Sequence, residues 1–407
     1  MTLLGMPAVA HAAPAGFGAG GKVRTDFAGY ADVINALVVR PGGFVAAGAA
    51  GLPDYSTDFG LARYDSRGNL LARVTTDFFG HTDRANALVA QPDGKLVAAG
   101  EAFRTAGENP DFALARYTAD GTLDAGFGTG GKATADLGGH DIASALVRQP
   151  DGRLLVAGST LDLDNGAPSV AVARFNADGT LDTTFGDGGK VVTEFAGGAQ
   201  AVSAVLQPDG KLVVAGDASE TGFDFWLARF GTDGTLDTSF GGDGQVTTDF
   251  GDTIDRALDV TIQSDGKLVA VGETSTMETA DFALARYHTD GTLDTGFGAG
   301  GRVVTDIVGG SDQARTAIVR GNRLVVGGSA TGNGTSFDFA LAVYRPDGSL
   351  DTTLGDGGKT TTDFDGSVDE VHDLAIRSDG TLLAGGVAYG PSQEITETDF
   401  AVARYRP

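Results

Sequence analysis

The chain contains no cysteine, one tryptophan and five histidines in 407 residues. Without cysteine there is no disulfide framework and no thiolate metal site, although the compartment stays open. Cations are scarce: 29 Lys and Arg stand against 54 Asp and Glu, a formal net charge of −25. That field repels nucleic acid and anionic membrane surfaces, and it favours solubility, cations or basic partners. No apolar run approaches the ~20 residues that span a bilayer, so no membrane insertion is expected. Aromatic content is 8% and falls mostly within recurring motifs, which argues against a large stacking surface. Glycine, by contrast, is abundant, with 64 residues spread along the chain at turn positions. The distribution reads as recurring tight turns and not as a flexible linker.

The first residues, MTLLGMPAVAHAAP, form a separate unit. Leu3 to Ala10 is a short apolar stretch, and Ala10, His11 and Ala12 make a small-x-small cleavage pattern. The expectation is a truncated secretory signal over 1–12, cut after Ala12, followed by one domain over 16–407 in a secreted or cell-envelope protein. The stretch carries no Lys or Arg before its apolar part and is shorter than usual.

Beyond it the chain repeats. QPDGKLVVAG at 207–216 has close copies at 91–100, 149–158 and 263–272, and worn copies at 40–48, 320–328 and 377–386. A second motif, GGKVxTDF, places an acidic residue at Asp26, Asp77, Asp136, Glu194, Asp249, Asp306 and Asp363. A third, DFALARY, also recurs seven times, from Asp58 to Asp399. Each unit holds four short runs rich in Val, Leu, Phe and Tyr, bounded by PDG, DG and GG turns. They are strands, and several, such as LVVAG and FALA, are apolar on both faces, as a strand covered on both sides requires.

Four-stranded units of this period point to a seven-bladed, all-β propeller with antiparallel blades. The phase of the units supports closure. The first strand, 22–27, is of the fourth type, and the last, 399–405, is of the third type. Pairing the two completes a seventh blade and removes the open edges. QPDGKLVVAG, DFALARY, ADGTLDTxFG and GGKVxTDF resemble the bacterial delta-60 repeat family of β-propellers over nearly everything after residue 16. The resemblance implies a propeller of secreted or surface-associated proteins and implies no defined reaction. The first unit departs from the pattern: LDxxFG is missing between Tyr64 and Asp77, so a shorter loop is expected there.

Function is expected where the copies differ. In a propeller the second–third loops (51–57, 102–110, 160–168, 218–223, 274–280, 330–337 and 388–398) share a face with the interblade loops (including 79–86, 138–144, 251–257, 309–315 and 366–373). The opposite face carries the repeated PDG and DGTLD turns and reads as structural. On the variable face, His81, His140 and His372 neighbour Asp83 with Arg84, Asp141, and Asp369 with Glu370. Histidine with carboxylates suits a transition metal or proton transfer. The plainer reading is that Asp32, Asp83, Asp141, Asp255, Asp312 and Asp369 cap first strands, with Gln200 breaking the series. Arg84, Arg256 and Arg315 follow the capping Asp and would line a central mouth, and Tyr55 and Tyr389 are further ligand candidates. Trp226, inside a strand, reads as packing. The DGTLD turn resembles half of a calcium loop. Only the copy with Asn176, Asp178 and Asp182 offers a further ligand, so a plain Asx turn is favoured and calcium is the one cofactor in view.

Two functions follow as expectations. One is a monomeric binding or scaffold propeller that takes a protein or carbohydrate ligand on the variable face. The alternative is a metal-assisted lyase or hydrolase of an extracellular polymer, built on His81, His140 or His372. A calcium-stabilised structural module is a third.

Overall fold

The computed structural model describes residues 16–105, 109–162, 166–218, 222–251, 254–276, 278–332, 336–353, 355–390 and 398–406; the expected leader over 1–12 lies outside them. Among the described residues, seven four-stranded antiparallel sheets account for the strands, and no helix is long and apolar enough to cross a membrane. Each blade runs outward from its first strand. In blade 2 the strands are Asp83–Ala90, Leu96–Phe103, Pro110–Tyr117 and Lys132–Ala135. The first strand opens with the polar pair Asp83 and Arg84, paired with Ala102 and Glu101, ahead of its apolar part.

Blade 7 closes the ring as the phase predicts. Asp369–Ile376, Leu382–Tyr389 and Thr398–Tyr405 are completed by Lys22–Thr25 from the other end of the chain. Val23 pairs with Val402 and Thr25 with Phe400. Blade 1 has the short connection expected from its missing LDxxFG. Thr57–Asp65 turns directly into Leu70–Thr76, seven residues where the other fourth strands have four.

The core lies between blades. The second and third strands are buried on both faces, and seven hydrophobic clusters fill the seven junctions. Trp226 is fully buried in one of them, against Phe195, with Nε1 donating to Gln245 Oε1 at 2.8 Å. Tyrosine–threonine hydrogen bonds stitch five of the seven junctions. Tyr117 reaches Thr76 at 2.8 Å, Tyr344 reaches Thr305 at 3.0 Å, and at the closure Tyr64 reaches Thr25 at 2.8 Å. Where Ala135 replaces the threonine, Phe175 replaces the tyrosine, so no buried hydroxyl is stranded.

The repeated face is a lattice of charge. In DFALARY the arginine turns to the DGTLD turn of its own blade and to the next blade. Arg174 Nε donates to Asp182 Oδ2 at 2.8 Å, Arg174 Nη1 donates to the Thr232 carbonyl at 2.6 Å, and its guanidinium lies 4.5 Å from the Phe185 ring centroid. Arg116, Arg229 and Arg286 repeat the arrangement with Asp124, Asp237 and Asp294.

Candidate functional site

Every first strand carries a β-bulge at the same place, where its register against the second strand slips by one residue. The repeated glycine of LVVAG sits opposite. A Cβ at Gly100 would stand 1.8 Å from the Arg84 carbonyl oxygen, and one at Gly158 would stand 1.9 Å from that of Ile142, so only glycine lets the bulged backbone come so close. The repeat thus fixes a backbone device, and the residue that the device presents is free to vary. The bulged residues are Asn35, Asn86, Ser144, Val202, Leu258, Arg315 and His372. All seven line one central cavity of about 290 Å³.

This ring is lopsided. His372 Nδ1 donates to the Ile34 carbonyl at 2.8 Å, Asn35 Nδ2 donates to the Ala85 carbonyl at 2.9 Å, and Asn86 Nδ2 donates to the Ala143 carbonyl at 2.9 Å. A polar arc therefore runs from blade 7 to blade 3. Blades 4 and 5 answer with Val202 and Leu258. Arg315 Nη2 lies 2.8 Å from Glu370 Oε2, and His372 Nε2 lies 3.5 Å from the same oxygen. These two neighbours hold the Glu370 carboxyl below its ordinary range.

Two residues up each strand, on the same side by strand alternation, a second ring forms the mouth: Val33, Arg84, Ile142, Gln200, Arg256, Gln313 and Glu370. Arg84 and Arg256 are half exposed and lean on Glu101 at 3.4 Å and Glu273 at 3.8 Å. Gln313 Nε2 donates to Glu273 Oε2 at 2.8 Å. Burial pushes the Glu101 and Asp217 carboxyls up. Around the mouth, the exposed aromatic side chains among the described residues are Tyr55, Phe79 and Phe223, and all three stand on variable-face loops. Tyr55 (φ +65°) and Phe223 (φ +72°) are also the non-glycine residues with left-handed backbone among those described, a conformation that costs a side chain free energy and collects at binding sites.

The residues singled out from sequence are distributed unevenly. Asp83, Asp141, Asp255, Asp312 and Asp369 are buried at the tops of first strands. Each accepts a backbone N–H from the interblade loop at 2.5–2.7 Å. Ala199, and not Gln200, is where that series breaks, because Ala199 pairs with Ala218 as Asp83 pairs with Ala102. Arg84 and Arg256 belong to the mouth, whereas Arg315, two positions further along its strand than the equivalent Gln313, belongs to the bulge ring. His140 and His372 are strand residues and not loop residues: His140 opens His140–Arg148, and His372 lies inside Asp369–Ile376. The polar bulge is what makes those segments read as loops. His140 packs edge-on against Phe103 at 6.0 Å. His81 is half-buried in its loop, and among the described residues no contact joins the three histidines. Tyr389 stands beside Glu370 and Arg315, its hydroxyl pushed up by burial.

At the DGTLD turn proposed for calcium the ligand oxygens are taken. Asp182 Oδ2 receives Arg153 and Arg174, both at 2.8 Å, and Asp178 Oδ1 receives the Thr180 N–H and hydroxyl. Asn176 turns its amide nitrogen to Thr180. The turn is an Asx turn with an ion pair. Sequence reasoning missed Asp259 and Asp373, set in the channel wall immediately after the bulge. Asp259 Oδ2 accepts the Ala317 N–H at 2.8 Å and Asp373 Oδ2 the Leu37 N–H at 2.6 Å, both across a blade junction. Enclosure pushes their carboxyls up to about 6 and about 7. The available signal was a carboxylate where other copies carry Ala, Ser or Thr.

Five segments, 91–127, 149–185, 207–240, 263–297 and 322–354, match a family model described as a domain of unknown function (DUF5122) beta-propeller. The matched segments are successive β-propeller repeats of the chain. Among curated proteins nothing matches it. Of solved structures, the propeller is similar to the polysaccharide lyase Uly1, with 11% identity over 90% of this chain and 89% of that one and a TM-score of 0.51. A protein from Lactobacillus plantarum gives 14% identity over 90% and 100%, with a TM-score of 0.50. Sqt1 of Chaetomium thermophilum, solved with the N-terminus of ribosomal protein L10, gives 14% over 94% and 98%, with a TM-score of 0.46. At these identities the likeness is one of fold.

Proposed function

We propose that this propeller is a secreted or cell-envelope binding module of the delta-60 repeat kind, which takes a protein or carbohydrate ligand at the channel mouth of its variable face. The observation that carries the reading is the segregation of exposed aromatic residues. Tyr55, Phe79 and Phe223 stand on the variable face, and the latter two lie beside half-exposed arginines, with Arg256 5.3 Å from the Phe223 ring centroid and Arg104 4.7 Å from that of Phe79. Aromatic and arginine side chains are the usual anchors of recognition surfaces. The opposite face spends its arginines on ion pairs. The metal-assisted enzyme reading, built on His81, His140 or His372, draws less support: among the described residues no contact joins the three, and His372 alone has a carboxylate beside it, Glu370, in the channel.

The test is a screen of the purified chain on arrays of extracellular polysaccharides and of peptides, followed by variants. Tyr55→Ala with Phe223→Ala is expected to weaken any hit by at least about 10-fold, the loss of one hot spot or more. Replacing Arg345, on the repeated face, is expected to leave affinity unchanged. Equal losses from both faces would overturn the proposal.

A further inference from the structure

The junctions between blades gather carboxylates on the variable face. The first Asp of DFALARY, the acidic residue closing the fourth strand and the capping Asp of the next first strand meet there. Asp58, Asp77 and Asp83 form one such triad, with an oxygen from each within 4.8 Å of the others. Asp111, Asp136 and Asp141 form another, as do Asp26, Asp32 and Asp399. In those two a guanidinium has moved in: Arg104 Nε lies 2.6 Å from Asp111 Oδ2, and Arg24 Nε lies 2.9 Å from Asp399 Oδ2. The fold itself shows that the place accepts a cation.

Among the described residues no arginine is ion-paired to Asp58, Asp77 or Asp83. Asp83 is fully buried. Its Oδ2 accepts the Phe78 N–H at 2.6 Å, and its Oδ1 is buried with no hydrogen-bond partner. Leaving a buried carboxylate oxygen unpaired is costly. Asp58 is also buried, whereas Asp77 is exposed and opens the triad to solvent. The Lys132 ammonium donates to the Asp77 carbonyl, so one positive charge faces three negative ones. A divalent ion would balance the remainder.

We propose that Asp58, Asp77 and Asp83 form a calcium site at the junction of blades 1 and 2. The donors are all hard oxygens without histidine, which favours calcium over a transition metal. The solvent-open side leaves room for water to complete a coordination number of six to eight.

Calcium alone is the probe, titrated calorimetrically into the full chain after stripping with chelator, at neutral pH. The site should bind at about 10⁻⁴–10⁻³ M or tighter, the range of extracellular modules. Asp58→Asn should bind one calcium fewer than the unaltered chain. This variant keeps the Asp83 cap, so its thermal midpoint in chelator should match the unaltered chain, and added calcium should raise it less. No calcium binding by the unaltered chain, or the same stoichiometry and affinity in the variant, overturns the proposal.

Discussion

Phe17→Ala should unfold the ring at a markedly lower temperature, although Phe17 lies five residues before the first strand. Phe17 is fully buried. It stacks on Phe44 with centroids 5.9 Å apart, and the Arg404 guanidinium lies 5.1 Å from its ring centroid. Phe127, Phe185, Phe240 and Phe297 occupy the same place under Arg116, Arg174, Arg229 and Arg286 at 4.5–4.9 Å. Phe17 is therefore the LDxxFG phenylalanine of blade 7, delivered by the opposite end of the chain. Removing a fully buried phenylalanine costs about 3–5 kcal/mol. Unfolding entropy of about 2.1 cal/mol/K per residue gives about 0.8 kcal/mol/K for a ring of this size, hence a fall of about 4–6 °C. Calorimetry on Phe17→Ala and Phe240→Ala side by side is the assay. Equal falls are expected. A shift below about 1 °C in Phe17→Ala, with a full fall in Phe240→Ala, would show that the N-terminal segment adds nothing to closure.

Further outcomes follow from the charge layout. Arg174→Met removes a buried guanidinium shared by Asp182 and the next blade's backbone, and should cost about 3 kcal/mol in urea unfolding while leaving binding at the mouth intact. Stability should also respond to pH in an unusual direction. Asp32, Asp83 and Asp369 are raised to about 7 and Asp141 and Asp312 to about 6, chiefly by burial. These carboxyls hold protons that the unfolded chain has lost above its ordinary value of 3.8. In chelator the thermal midpoint should therefore fall as pH rises from about 5 to 8, and a midpoint that rises over that window would contradict the assignment. Lys267 and Arg286 hold Asp294 down to about 2, so its contribution is present above the ordinary value and disappears only as pH drops from about 4 towards 2.

The architecture was legible because its signals are periodic. Strand type could be read from DFALARY and LVVAG, and closure from a fourth-type strand at one end and a third-type strand at the other. The aspartate caps were legible for the same reason. The channel ring was not. A bulge adds one residue to one strand, and its only trace in sequence is the glycine opposite and a break in alternation such as ALDVTI or EVHDLA. That break made His372 look like a loop residue and hid Asp259 and Asp373. It also merged Arg84 and Arg256 with Arg315, although two residues along a bulged strand separate mouth from channel. The DGTLD turn, half a calcium motif, was legible as the plain Asx turn it is, and its Asp182 is held by Arg153 and Arg174. The acidic triads are assembled from three strands about 20 and 6 residues apart in sequence, a pattern that alternation and spacing do not flag.

If the repeated face holds the ring together and the varying face meets the ligand, hydrogen–deuterium exchange of the chain with and without a ligand found on the arrays will separate the two faces. Protection is expected over 51–57, 79–86 and 222–226 and in the first strands that carry the bulges. Protection concentrated on the DGTLD turns, with the mouth unchanged, would contradict it.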